Sequence, residues 1–311
     1  MAEIWDMHIH PYFDEAIQGL GMPFTSLARE LEHRETTHFQ HDARRPISLS
    51  EMLSHLDEAN INGGIVVNVQ SIRWSTAPLP NALLADMLRP YAPRLRFFAS
   101  VDPHQGNAAA RELERSLRED GAVGLKLHPS YQDFCPSDRK LAYPLFEICQ
   151  SFGVPVLLHC GTCWLRGVPI EPSRPIYVDQ AALDFPELRL ILAHGGWPWT
   201  EELIAVMWRH DHVYADLSGN LPRFLPPLLW HYANVGSLGR RFLFGSDYPY
   251  ISPKAWLAGF AELNEWFCPP EGRMETWREG VKERILGQNF VELMGPVLTG
   301  HPKCNKNRQE G

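Results

Sequence analysis

The first side chains along the chain that could do chemistry are two histidines separated by one residue. His8 and His10 follow Asp6 in the segment DMHIH (6–10). Because side chains alternate along a β-strand, histidines at this spacing would lie on one face of a strand. Neutral imidazole is a natural ligand of zinc and of similar divalent ions. The pair alone predicts little, since a histidine at a strand end is more often a hydrogen-bonded structural residue.

Polar side chains of the same kinds recur further along, each directly after a short apolar run. They are Lys126, His128, His159, His194 and Asp247. If the runs are strands of one parallel barrel, their C-terminal ends meet, and the imidazoles and the carboxylate converge. Buried ionisable groups are costly unless they are paired or bind a metal. The sequence therefore predicts a metal site, which Asp6, in phase with both histidines of the first strand, would support.

Eight short runs rich in valine, isoleucine, leucine and phenylalanine supply the strands. Runs that are apolar nearly throughout are typical of parallel strands buried on both faces. They span 3–9, 64–69, 96–101, 122–127, 154–159, 188–194, 212–217 and 241–247. Stretches between them, including 48–61, 82–91, 107–120 and 140–152, carry apolar residues at helical spacing. This alternation predicts an α/β fold, a single (β/α)8 TIM barrel with its active site at the C-terminal ends of the strands.

No repeat or low-complexity linker divides the 311 residues. We expect a barrel domain over 1–296 with an insertion at about 14–47, and a polar C-terminal tail at 297–311. The net charge of −8 argues against a nucleic-acid partner. No apolar run approaches the roughly 20 residues that span a membrane. Six scattered cysteines and no visible signal peptide favour a cytoplasmic protein with a small-molecule substrate.

The order of these motifs resembles the amidohydrolase superfamily, in particular its amidohydrolase-related branch. The matching segments span almost the whole chain: DMHIH (6–10), GLKLHP (124–129), PVLLHCGT (155–162), LILAHGGW (190–197), FLFGSDYP (242–249) and ILGQNFVELMG (285–295). The branch contains metal-dependent TIM-barrel hydrolases and non-oxidative decarboxylases, such as those similar to aminocarboxymuconate-semialdehyde decarboxylase. The resemblance implies an enzyme with one divalent metal ion per chain, zinc being expected and manganese the alternative. It also allows a homodimer, because members of the branch are often dimers.

The resemblance implies a role for each matching residue. His8, His10, His159 and Asp247 would bind the metal. His194 would be a further ligand or would polarise the substrate. In hydrolytic members the aspartate of the eighth strand takes a proton from the metal-bound water and delivers it to the leaving group. Asp247 and His194 are therefore the expected catalytic residues.

Two residues of the fourth strand end leave alternatives open. In binuclear members a lysine at the position of Lys126 is carbamylated and bridges two metals. Otherwise Lys126 is a cation that binds the substrate or the adjacent acid, and we expect this case, with a single metal. His128 either lines the pocket or caps the loop before Pro129.

Loop residues after the strands are expected to bind the substrate. Arg73 and Trp74 follow the second strand, Arg166 the fifth and Trp197 the sixth. Aromatic walls with guanidinium groups suit a flat or unsaturated carboxylate. We first expect a metal-dependent hydrolase, which uses a metal-activated water and Asp247 as general base on a C–O or C–N bond of a small carboxylate. The alternative is a metal-dependent non-oxidative decarboxylase of an aromatic or unsaturated carboxylic acid, since the ligand set does not separate the two.

Overall fold

Eight parallel strands form one closed barrel in this computed structural model, and their order in the chain is also their order around the barrel. The structure describes residues 3–11, 47–73, 79–163, 167–268 and 272–299. The strands are β1 (Trp5–Ile9), β2 (Gly63–Val67), β3 (Leu95–Ser100), β4 (Leu125–Leu127), β5 (Val156–Leu158), β6 (Leu190–Leu192), β7 (Val213–Asp216) and β8 (Phe242–Leu243). The backbone N–H of Met7 donates to the carbonyl of Phe244 (2.9 Å), which joins β1 to the chain after β8. The predicted (β/α)8 TIM barrel is confirmed.

Helices lie between successive strands, as the apolar spacing predicts. They are α1 (Leu49–Glu58), α2 (Asn81–Leu88), α3 (Asn107–Arg115), α4 (Pro129–Gln132), α5 (Tyr143–Phe152), α6 (Asp179–Asp184), α7 (Thr200–Arg209), α8 (Pro227–Asn234), α9 (Pro253–Glu262), α10 (Val281–Glu283) and α11 (Asn289–Leu298). An antiparallel hairpin, β9 (Glu265–Cys268) and β10 (Arg273–Thr276), follows α9. At the start of α1 the hydroxyl of Ser48 accepts the N–H of Glu51 (3.1 Å). This side-chain cap explains why the helix begins there.

Side chains alternate along the strands between two apolar layers. Val156 and Leu158 belong to a large cluster that includes the surrounding helices, whereas Leu157 belongs to a second cluster shared mainly by strands. Lys126 pairs in register with Leu157. Registered neighbours on adjacent strands point to the same side of a sheet, so the Lys126 side chain points into the barrel.

Apolar side chains of α11 close the opposite end of the barrel. Phe290, Leu293 and Met294 pack in the inner cluster, and the ring of Phe290 stacks on Trp5 at the start of β1 (centroids 5.1 Å apart). Among the residues that the structure describes, the polar side chains that follow the strands therefore lie at the other end of the barrel, where the strands have their C-terminal ends.

Most of the predicted insertion at 14–47 and most of the tail at 297–311 lie outside the described residues. The domain boundaries therefore stay predictions. None of the described helices combines the length and the apolar character that crossing a membrane requires.

Candidate metal centre and active site

Predicted site residues from β1, β4 and the segments after β5, β6 and β8 come together at the C-terminal end of the barrel. The contacts are His8 Nε2 to Asp247 Oδ1 (3.4 Å), His10 Nε2 to Asp247 Oδ1 (3.0 Å), Lys126 Nζ to His8 Nε2 (3.4 Å), and His194 Nε2 to His159 Nδ1 (3.0 Å). One oxygen of Asp247 thus lies against both histidines of the first strand. His8, Lys126 and Asp247 are buried. The strand ends therefore hold a largely buried cluster of imidazoles, one amine and one carboxylate.

Asp6 does not point at this cluster. Its Oδ1 accepts the backbone N–H groups of His8 (3.0 Å) and Ser246 (2.9 Å), and its Oδ2 accepts the Ser246 hydroxyl (2.6 Å). The carboxylate therefore ties β1 to the segment that carries Asp247. Asp247 has a positive φ of 66°, an unusual conformation for a side-chain-bearing residue that its surroundings must enforce.

Burial keeps the imidazoles neutral. It lowers the pKa of His8 and His159 well below the usual value, and that of His194 to about 4. Burial would raise the pKa of Asp247, but the neighbouring His194 and His10 outweigh it and leave the pKa below its usual value. A cluster of neutral imidazoles beside an ionised carboxylate offers lone pairs and negative charge, which is the donor set of a divalent cation.

The hydrogen bonds at the back of the rings decide which lone pairs face inward. A neutral imidazole has one N–H and one lone pair. The ammonium of Lys126, which can only donate, lies 3.4 Å from Nε2 of His8, so Nε2 carries the lone pair and the N–H is on Nδ1, 2.6 Å from Oδ2 of Asp216. Nε2 of His159 lies 3.0 Å from the carbonyl oxygen of Thr162, which can only accept, so Nδ1 of His159 keeps its lone pair.

Three residues satisfy a simple geometric test for a metal site. One ligand atom each of His8, His194 and Asp247 lie within 4.8 Å of one another. His10 contacts this group through Asp247, and His159 contacts it through His194. The donor chemistry of these described residues therefore fits a divalent cation. The group shares His8 and Asp247 with the predicted ligands and adds His194, and the ligand roles of His10 and His159 stay predictions.

Lys126 is fully buried, and its amine lies beside His8 Nε2. Burial lowers the pKa of Lys126 to about 8, although Asp247 and Asp216 act in the opposite direction. Since its pKa is about 8, Lys126 carries a positive charge at neutral pH and loses it in mildly alkaline solution. Burial also raises the pKa of Asp216 to about 7, although hydrogen bonds from Ser218 act in the opposite direction.

His128 is positioned by its neighbours in the chain. Its Nδ1 accepts the backbone N–H of Tyr131 (3.2 Å) at the start of α4. Its ring lies between those of Tyr131 and His159, with both centroids 3.7 Å away. The structure thus shows His128 as a cap of α4, which begins at Pro129, and not of the loop before Pro129. The stacked ring also supports His159 from the side.

The four residues expected to bind the substrate are only partly described. Trp197 is 40% exposed, and its carbonyl accepts the N–H of Thr162 (2.9 Å), which links the loops after β5 and β6. Arg73 lies at the surface in an ion pair with Asp133, so its guanidinium is already engaged. Trp74 and Arg166 lie outside the described residues, and their roles stay predictions.

Sequence reasoning missed Asp216 and Ser218. Both are fully buried behind the histidines, and Asp216 lies in the run 212–217 that the sequence identifies as the seventh strand. The usable signal is its phase. Asp216 alternates with the outward-facing Val213 and Ala215, so it points into the barrel at the end of a strand.

A closed (β/α)8 barrel with a histidine–aspartate cluster at the C-terminal strand ends has the architecture of a TIM-barrel enzyme, whose active site lies at that end. Within that class the chain belongs to the amidohydrolase family, whose family model, described as Amidohydrolase, matches residues 5–293. The resemblance stated from the motifs is thereby confirmed.

Proteins similar to this chain include decarboxylases and a probable hydrolase. A gamma-resorcylate decarboxylase from Polaromonas sp. is 30% identical over 161 residues, which cover 44% of this chain and 48% of the relative. The chain thus matches about half the length of that protein. A dihydroxybenzoic acid decarboxylase from Polaromonas sp. JS666, solved with bound manganese and the inhibitor 2-nitroresorcinol, is 19% identical (TM-score 0.65, covering 95% of this chain and 98% of that one). A probable 2-pyrone-4,6-dicarboxylic acid hydrolase from Acinetobacter baumannii, solved with citric acid bound, is 17% identical (TM-score 0.61, covering 94% and 99%). At these identities the two structures show a shared fold.

Proposed function

We propose that the protein is a metal-dependent non-oxidative decarboxylase acting on an aromatic or unsaturated carboxylic acid. That it is an enzyme of the amidohydrolase superfamily follows from the family match. The observation that carries the choice of reaction is the 30% identity to a gamma-resorcylate decarboxylase. This identity supports decarboxylation, which the sequence left as the alternative, over hydrolysis.

His8, His10, His159 and Asp247 would hold one divalent metal ion, with His194 as a further ligand. Such an ion would supply positive charge that binds a carboxylate and stabilises negative charge developing on the substrate. Zinc suits the imidazole and carboxylate donors, and manganese is supported by its presence in the dihydroxybenzoic acid decarboxylase. A second metal held by a carbamylated Lys126 is the less favoured alternative.

The protein's own groups would bind the acid and supply the proton. Lys126, charged below about pH 8, would attract the substrate carboxylate into the barrel. When the bond between the carboxylate and its carbon breaks, carbon dioxide leaves and that carbon needs a proton. Asp247, which is ionised in the resting site, would take up a proton from solvent water and deliver it to that carbon.

Hydrolysis of a C–O or C–N bond uses the same groups, and the likeness to the probable 2-pyrone-4,6-dicarboxylic acid hydrolase favours it as the second candidate. Asp247 would then accept a proton from the attacking water and pass it to the leaving group. The two reactions differ in their products, because only decarboxylation releases carbon dioxide.

The deciding experiment incubates protein loaded with manganese or zinc with gamma-resorcylate and other dihydroxybenzoates, and in parallel with 2-pyrone-4,6-dicarboxylate. Carbon dioxide release and lactone opening are both measured. Chelator-treated protein and the Asp247→Asn variant are the controls, and both should be inactive. Carbon dioxide release from an aromatic acid supports the proposal. Lactone opening without carbon dioxide release from any acid would replace it by the hydrolase. The cytoplasmic location and a homodimer stay predictions.

A further inference from the structure

Gln132, the last residue of α4, bonds through its side chain to the ends of three neighbouring strands. Its Oε1 accepts the backbone N–H of His128, directly after β4 (2.8 Å). Its Nε2 donates to the backbone carbonyl of Gln70, after β2 (2.6 Å), and to that of Val101, after β3 (2.8 Å). Gln132 is only 1% exposed, so solvent is largely excluded from these contacts.

These three bonds require a side-chain amide. The group must donate twice and accept once, and an amide has two N–H donors and one carbonyl acceptor. A glutamate of the same shape would place an acceptor 2.6 and 2.8 Å from two carbonyl oxygens. A leucine would leave one backbone donor and two acceptors without this partner, and an unpaired buried polar group is destabilising.

The bonds of Gln132 fix the backbone of a histidine that touches a predicted metal ligand. The N–H of His128 is held by the side chain of Gln132, and its carbonyl accepts the backbone N–H of the same residue (2.9 Å). The ring of His128 lies between those of Tyr131 and His159, nearly parallel to both (5° and 11°). One face of the His159 ring is therefore covered by a ring whose position depends on Gln132.

The same strand ends are joined by further bonds to α4. The hydroxyl of Ser71, after β2, donates to the carbonyl of Tyr131 (2.7 Å). Nε2 of His104, after β3, lies 2.8 Å from the carbonyl oxygen of Gln132. The segments after β2, β3 and β4 thus form one connected wall beside the site, and Gln132 bonds to all three with a single side chain.

We propose that Gln132 is a positioning residue of the active site. Its amide joins the segments after β2, β3 and β4 and thereby holds the ring of His128 against His159. A metal ion that binds His159 then meets a ring that is already fixed, so binding does not have to order it. The proposal rests on the proposed metal-dependent function for the role of His159, whereas the stack of rings does not depend on that function.

Asn289 provides a matched control at the opposite end of the barrel. It is completely buried, and its Nδ2 also donates to two backbone carbonyls, those of Gly239 (2.9 Å) and Phe242 (2.8 Å). Asn289→Leu therefore removes bonds of the same kind without touching the wall beside the site. Gln132→Leu and Asn289→Leu should both lose stability in urea unfolding.

The first test records the ring signals of 13C-labelled histidine in the full-length protein, with and without zinc. Stacked rings shift each other's proton signals by ring currents, and His128→Gln and His159→Gln variants assign the signals. Gln132→Leu and Gln132→Glu should both lose the ring-current shifts of His128 and His159, whereas Asn289→Leu should keep them. If neither Gln132 variant folds, Gln132→Asn, which keeps the amide on a shorter side chain, should show a smaller loss. Unchanged ring signals in every folded Gln132 variant would overturn the proposal.

The second test measures the dissociation constant of Zn²⁺ by competition with a chelator. Loss of a group that orients a metal-binding histidine weakens metal binding about 10- to 100-fold. Because Gln132 acts through His128, we expect the lower end, about 10-fold, for Gln132→Leu and Gln132→Glu, and the wild-type affinity for Asn289→Leu. Equal zinc affinities in the Gln132 and Asn289 variants would also overturn the proposal.

Neither measurement uses a substrate. A wild-type protein that binds no zinc would contradict the metal-dependent function and leave the ring signals to be compared without metal. Ring signals that do not respond to Gln132 would contradict the positioning role and leave the carbon dioxide assay intact.

Discussion

Replacing Gly219 by alanine tests whether the backbone after β7 sets the position of His194. Gly219 has a φ of +74°, and a Cβ built on it would lie 2.5 Å from Nδ1 of the His194 ring. Ordinary van der Waals contact begins at 3.4 Å, so the ring and the loop must move apart by about 0.9 Å (3.4 minus 2.5). The movement also stretches the 2.9 Å contact between Ser218 and His194.

Two effects of different size follow from this substitution. A side-chain-bearing residue in the left-handed region costs about 1–2 kcal/mol in the free energy of unfolding. A misplacement of about 1 Å at a catalytic group can cost about 100-fold in rate, which corresponds to about 2.7 kcal/mol in activation free energy. We therefore expect Gly219→Ala to lose about 100-fold in kcat/KM and at least 1 kcal/mol of stability.

Gly236→Ala is the matched control. Gly236 also has a positive φ (62°), but a Cβ there meets nothing within 4 Å, so this variant carries the backbone strain alone. Urea unfolding should show a loss of stability in both variants, while the activity assay and metal titration should separate them. Gly219→Ala with the kcat/KM of Gly236→Ala would refute the idea that this loop holds His194 in place.

Three further predictions concern the charged groups and the metal. Asp247→Asn should lower kcat by about 10²- to 10⁴-fold at saturating metal, the usual contribution of a general acid or base; a smaller loss in steady-state assays would contradict a proton-transfer role. Burial lowers the pKa of Lys126 to about 8, so its positive charge is lost as the pH rises through that value. KM for a carboxylate substrate should therefore increase above pH 8, and Lys126→Met should have a high KM at every pH. A wild-type KM that does not change between pH 7 and 9 would contradict this. Zinc or manganese at 100 times its dissociation constant should add about 2.7 kcal/mol of stability, seen as a rise in melting temperature that a chelator reverses and that Asp247→Asn reduces; an unchanged melting temperature would count against a metal site.

The strands could be predicted because burial on two faces leaves a clear pattern. Each of the eight apolar runs overlaps one observed strand. β2 and β3 begin one residue before their runs, and the last run, 241–247, contains only Phe242–Leu243 as strand. The polar end of that run has irregular backbone, with a positive φ at Asp247, but it stays hydrogen-bonded to β1, since the N–H of Asp247 donates to the carbonyl of His8 (2.9 Å). An apolar run indicates which residues are buried, and buried residues continue past the ends of the hydrogen-bonded strand.

The contacts between distant polar residues could not be predicted in the same way. Asp216 is 208 positions from the histidine that it orients, and only the closure of the barrel brings the two together. Arg73 shows the opposite case. Its type and position favour carboxylate binding, but nothing in the sequence reveals that Asp133 lies within reach of it.

The chemistry of the centre follows from where the histidine protons are held. Burial keeps His8, His159 and His194 neutral, so each ring has only one N–H to place. The N–H groups of His8 and His159 point outward, to Asp216 and to the Thr162 carbonyl, and leave lone pairs inside. The amine of Lys126 lies 3.4 Å from the lone pair of His8 Nε2, and Nε2 of His194 lies 3.0 Å from that of His159 Nδ1. A divalent cation would accept the same lone pairs, so metal binding should displace Lys126 from His8.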